Sequence, residues 1–203
     1  MNRIATTLLI ALACAAGSPA AAGVPSPENS TLPACMLAVP EFPPTGSVLV
    51  RDLANNLLIG VNVVLDFTGC DAIYMCPDVP PVNFPRYAPS PVSSTTDFYG
   101  AANFNLRGGG SCLTGATVFA NGVLLGTVRI VSPDQDGDGD VDATDQLLLQ
   151  ARIDTGDLRA DLDCDGIAGP DDQTVLDYNL GASCPGATPT RSTTWGRVKQ
   201  YYR

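Results

Sequence analysis

The spacing of six aspartates in residues 134–145, "DQDGDGDVDATD", constrains this chain more than any other feature. Carboxylates at that density repel one another and keep a chain expanded unless a cation draws them together. With Asp134 as position 1, the others fall at positions 3 (Asp136), 5 (Asp138), 7 (Asp140), 9 (Asp142) and 12 (Asp145), and Gly139 takes position 6. The register recurs in residues 161–172, "DLDCDGIAGPDD", with Asp161, Asp163, Asp165, Gly166 at 6, Ile167 at 7, Gly169 at 9 and Asp172 at 12. A single match in an Asp-rich segment means little. Two matches in register, each with glycine at position 6 and each followed by a helical pattern, argue against chance.

The charge distribution supports a local site. Residues 134–172 hold thirteen aspartates against Arg152 and Arg159, a balance of 2 − 13 = −11, whereas the whole chain carries −10. The remainder is therefore close to neutral, and the acidity belongs to one segment rather than to the whole surface.

The spacing is that of the EF-hand calcium loop, in which alternate side chains converge on the ion, position 7 offers its carbonyl, and glycine at 6 permits the turn. It assigns Asp134, Asp136, Asp138, Asp142 and Asp145 as side-chain ligands of a first Ca²⁺ site. Asp140 contributes its carbonyl there and turns its own carboxylate outward. A second site draws on Asp161, Asp163, Asp165, the Ile167 carbonyl and Asp172. Gly169 leaves position 9 of that loop to water, so the second site is expected to be the weaker.

Each loop runs into a short apolar-periodic stretch. "ATDQLLLQARIDTG" stops at Gly156, and "PDDQTVLDYNLG" begins with Pro170 in a first-turn position and stops at Gly181. No helix leads into either loop. This pair of loop-helix units, from Asp134 to about Ser183, resembles the type I dockerin. The resemblance implies a calcium-folded α-helical module that docks on a cohesin. Its partner-reading positions 10 and 11 are Ala143-Thr144 and Pro170-Asp171, unlike each other and unlike the Ser-Thr type pair of cellulosomal dockerins.

Upstream, short β-branched and aromatic runs ("SVLVRD", "VNVVLDF", "AIYM", "AANFNL", "ATVFA", "VLLGTVRIV") read as strands, and Asn121-Gly122 between the last two marks a tight hairpin. Six prolines in residues 77–97 argue against a central strand there and mark a long surface loop or an edge excursion. These strands resemble bacterial immunoglobulin-like or carboxypeptidase-regulatory-like extracellular modules, which implies a β-sandwich. The expected fold class is thus multi-domain: an Ig-like β-sandwich followed by a small α-helical dockerin-like module.

"MNRIATTLLIALACAAGSPAAAG" has the form of a cleaved secretory signal, with a basic residue, a short apolar run and small residues near 20–22. The expected division is a signal peptide at 1–22, a Pro-rich lead-in at 23–46, the sandwich at 47–131, the calcium module at 132–184, and a linker with a basic-aromatic tail at 185–203. Past the signal, Cys35, Cys70, Cys76, Cys112, Cys164 and Cys184 form an even set that reads as disulfides of an exported chain. A Cys164–Cys184 bond is one candidate, and it requires the chain to fold back after the second helix.

The chain has no histidine and no evident nucleophile-base pair, so it is read as non-enzymatic. The expected function is secreted, calcium-dependent protein interaction or assembly. Two alternatives stand beside it: an accessory part of an extracellular polysaccharide-degrading complex that docks through a cohesin, and a calcium-stabilised structural cap of a surface protein. A cohesin-like or other protein partner and a carbohydrate fit these readings; nucleic acid and a transmembrane segment do not.

Overall fold

The computed structural model describes residues 23–41, 43–76 and 90–185. The signal-like segment, most of the proline-rich excursion and the basic-aromatic tail lie outside the described residues. Eight strands come in the order β1 (Cys35–Leu37), β2 (Thr45–Leu49), β3 (Asn62–Asp66), β4 (Ala72–Met75), β5 (Val92–Thr95), β6 (Ala101–Asn105), β7 (Gly108–Ala120) and β8 (Val123–Val131). Two helices follow, α1 (Ala143–Ile153) and α2 (Pro170–Tyr178), with a 3₁₀ turn at Leu158–Ala160 between them.

β1, β8, β7, β3 and β5 lie side by side in that order, β4 pairs separately with β7, and β2 and β6 form a two-stranded ribbon. β7 is long enough to hold β3 along Thr117–Ala120 and β4 along Gly108–Ser111, so the sheet curls about it. Val63, Leu65, Phe67, Val118 and Ile130 from the sheet share one core with Val48, Ala102 and Phe104 from the ribbon. The hairpin at Asn121-Gly122 forms as the sequence indicates, with φ of 47° and 82°, values that Asn and Gly accept more readily than other residues.

The expected two-part architecture is not what the chain adopts. The described residues are mostly β, 37% strand against 15% helix, with two helices and a curled sheet, and a helical dockerin module does not form. The reason lies in β1 and β8. They pair in parallel with Met36 opposite Ile130 and Cys35 opposite Arg129. Side chains alternate across a strand, so Met36 and Ile130 enter the sheet core while Cys35 and Val131 enter a second cluster with Val141, Leu149, Ala160, Leu162 and Leu176. The helices thus use the back of the sheet as one wall of their own core.

The disulfides complete the join. Cys35–Cys164 and Cys76–Cys184 each link a sheet strand or its end to the loop-helix layer, at Cα separations of 5.5 and 5.3 Å, and Cys70–Cys112 lies within the sheet region at 5.1 Å. The candidate Cys164–Cys184 bond is replaced by these two cross-links. β5 lies within the proline-rich stretch and takes an edge position in the sheet, paired with β3 alone.

Candidate metal centre

The strand β8 ends at Val131 and delivers the chain within three residues to Asp134, which is fully buried. From there the two acidic loops share a set of backbone-to-carboxylate hydrogen bonds, although the bond from Gly137 N to Asp134 Oδ1 at 2.8 Å has no counterpart on Asp161 Oδ1. In the first, Asp134 Oδ2 accepts from Gly139 N at 3.1 Å, Asp136 Oδ1 from Asp138 N at 3.1 Å, and Asp138 Oδ1 from Asp140 N at 3.2 Å. In the second, Asp161 Oδ2 accepts from Gly166 N at 3.1 Å, Asp163 Oδ1 from Asp165 N at 3.1 Å, and Asp165 Oδ1 from Ile167 N at 2.7 Å.

Position 12 closes each loop. Asp145 Oδ1 accepts from Gln135 N at 2.6 Å and Asp136 N at 3.2 Å, and its Oδ2 accepts from Asp142 N at 2.7 Å. Asp172 does the same for Leu162 N (2.6 Å), Asp163 N (3.0 Å) and Gly169 N (2.7 Å). A side-chain carboxylate that bonds the backbone at a helix start satisfies donors the helix leaves unpaired. Asp142 caps α1 by accepting from Thr144 N at 2.6 Å.

These bonds bring Asp134, Asp136 and Asp138 together, and likewise Asp161, Asp163 and Asp165, with one oxygen of each residue within 4.8 Å of the others in its set. Asp145 and Asp172 are buried beneath the loops, Asp142 stands at the start of α1, and Ile167 is exposed. Asp140 departs from the expected outward orientation. It is buried beside Asp138, Asp142 and Asp134, and its Oδ1 has no hydrogen-bond partner. Asp161 Oδ1 is also buried without a partner. An orphaned carboxylate oxygen in the interior is costly unless a proton or a cation satisfies it.

The electrostatics follow from this crowding. Burial pushes the Asp134 carboxyl up to about 7, against the lowering pull of the Tyr74 hydroxyl that donates to it. Burial and the neighbouring Asp138 carboxylate push Asp140 up to about 7, and burial pushes Asp145 up to about 6. Asp136 and Asp172 are raised for the same first reason. Protons and cations therefore compete for these oxygens near neutral pH. Carboxylates converging from alternate positions form a hard-oxygen donor set that could hold a metal ion.

Three sheet residues that the sequence reading passed over help build the centre. Tyr74 on β4 holds Asp134, Arg129 on β8 forms an ion pair with Asp161, and Gly109 on β7 leaves space for the first of these contacts. A Cβ on Gly109 would fall on Asp134 Oδ2 and the Tyr74 hydroxyl. No local spacing points to them, because each meets its aspartate across a large separation in sequence. On the α1 side, Arg152 donates to both the carbonyl and the side-chain oxygen of Gln135, fastening position 2 of the first loop to the helix end.

Among the described residues no helix is long and apolar enough to cross a membrane, and the three disulfides are compatible with an extracellular setting. The chain matches no family model, no curated protein and no solved structure.

Proposed function

We propose that this chain is a secreted, non-enzymatic calcium-binding protein whose two acidic loops each take one Ca²⁺ ion, and that it serves extracellular protein interaction or assembly. The observation that carries the reading is the duplicated hydrogen-bond skeleton. Two segments with carboxylates at positions 1, 3, 5 and 12 fold with a shared set of loop hydrogen bonds, gather three carboxylates each, and leave Asp140 Oδ1 and Asp161 Oδ1 buried without partners. Like charges that converge in this way need a cation of matching hardness to make the cluster favourable.

Calcium acts here on a layer that is already fastened down. Cys35–Cys164, Cys76–Cys184 and the apolar contacts of Leu149 and Leu176 hold the loops against the sheet. The ion neutralises the loops and stiffens their exposed rims, which suits a surface that recognises a partner only when calcium is present. The chain's three exported-type disulfides support an oxidising, calcium-rich environment as its place of action.

Equilibrium dialysis of the purified protein against calcium, with the metal counted by elemental analysis, is the direct test. Two ions per chain are expected, reduced to one by Asp136→Asn with Asp138→Asn and to one by Asp163→Asn with Asp165→Asn. A chain that holds no calcium at millimolar concentration, or binding that survives all four substitutions, would overturn the reading.

A further inference from the structure

We propose that Arg129 is the resident counter-cation of the second loop, a guanidinium that holds Asp161 and thereby makes residues 161–172 the weaker of the two cation sites. This rests on the reading of both loops as calcium sites. The two loops share most of their backbone bonds, but their first carboxylates differ: Asp134 Oδ1 accepts from Gly137 N, Asp161 Oδ1 accepts from no group, and the two meet different side chains. Asp134 accepts from the neutral Tyr74 hydroxyl, whereas Asp161 accepts from Arg129, whose side chain is largely buried. Among the described residues, the other ion pair joins Arg159 to Asp157, outside the loops.

The Arg129–Asp161 contact uses Asp161 Oδ2 only. Asp161 Oδ1 and Arg129 Nε are both buried and both lack a partner. The pair therefore leaves one carboxylate oxygen able to take an ion, with a fixed positive charge beside it. Arg129 is also held in place. It lies opposite Cys35 in the parallel β1–β8 pair, and Cys35 is bonded to Cys164 at position 4 of the same loop. A divalent ion that binds Asp161 must come close to that guanidinium in a region water screens poorly, which weakens binding by roughly tenfold or more. In return, the guanidinium keeps the loop folded when calcium is scarce.

Gly169 already deprives the second loop of a position-9 side chain, so unequal affinity alone does not identify Arg129; changing its charge does. In protein carrying Asp136→Asn and Asp138→Asn, which leaves only the second loop intact, calcium affinity is measured by calorimetry. Arg129→Gln is expected to tighten binding by roughly tenfold or more, while Arg129→Lys keeps the parent's weak affinity. Arg129→Met, which keeps much of the stem's packing, carries the same expectation as Arg129→Gln. Unchanged or weaker binding in the neutral variants, or a Lys variant that behaves as they do, would overturn the proposal. So would loss of folding in both neutral variants, which would make the pair purely structural. Protein carrying Asp163→Asn and Asp165→Asn reads the first loop separately. If neither background binds calcium, the loops are not cation sites; if the second loop binds and ignores the charge at 129, only the role of Arg129 fails.

Discussion

The sheet and the loop-helix layer share one wall yet are stabilised by different means. On the sheet side, a continuous cluster that includes Phe67, Phe104, Leu65, Val63 and Val118 is fully or almost fully buried, and strand ladders satisfy the backbone. On the other side, Val141, Leu149, Ala160, Leu162 and Leu176 form a small core with Cys35 and Val131, while buried aspartates satisfy the loop backbone. Burial of apolar surface depends little on ions or pH. A core sealed by carboxylates and disulfides depends on both, so cation, proton and redox effects should concentrate in the layer that carries the loops.

The largest separation of the two regions is expected from the disulfides. Replacing Cys35, Cys164, Cys76 and Cys184 with serine removes both covalent links between the layers, at about 2–5 kcal/mol for each bond lost, and leaves Cys70–Cys112 in the sheet region. Far-UV circular dichroism should show the helical signal lost and the β signal kept; loss of both together would mean the sheet depends on the layer for its own folding.

Core truncations sharpen the contrast. Leu149→Ala is expected to cost about 2–5 kcal/mol and Phe104→Ala about 3–5 kcal/mol. Saturating calcium should recover part of the first loss and none of the second, as read by chemical denaturation with and without the metal. Equal recovery in both variants would erase the distinction between the regions.

The smallest of these effects is the dependence on pH. Asp134 and Asp140 stand at about 7 and Asp145 at about 6 in the folded chain, against about 3.9 for an unperturbed aspartate. Between those values the folded chain holds protons that the unfolded chain has released. Their contribution to stability is thus fully present below about pH 4 and is lost as pH rises through 6 to 7. Calcium-stripped protein should be less stable at pH 8 than at pH 5 by a few kcal/mol, whereas calcium-loaded protein should gain stability over the same interval because the ion displaces the protons. Melting temperatures at the two pH values, with and without calcium, check both signs.

What could be read along the chain was what depends on neighbours in sequence. The twelve-residue loops, their glycines at 139 and 166, the Asn121-Gly122 turn and the strand at 72–75 all arise from local spacing, and each forms where the residues place it. The wall shared by the sheet and the helices was not legible, because it turns on which face of β1 and β8 the helices cover. Residues 108–110 fall outside the runs read as strands, yet they begin the longest described strand, where side chains would collide with β4 and with Asp134. Tyr74 and Arg129 escaped notice for a related reason: a tyrosine in a strand and an arginine in a strand look ordinary until the fold sets them against a buried carboxylate.

Amide resonances followed during a calcium titration test most directly whether the ion acts on two preformed loops. Gly139 N donates to Asp134 and Gly166 N to Asp161, so both amides should shift on binding, the first at lower calcium than the second. Amides in β7 such as Val118 should stay in place, and the α1 amides should already be dispersed before calcium is added. Resonances of α1 and α2 that emerge only with calcium would contradict a layer held in place by disulfides and apolar contacts, and Gly139 and Gly166 amides that never move would contradict cation binding itself.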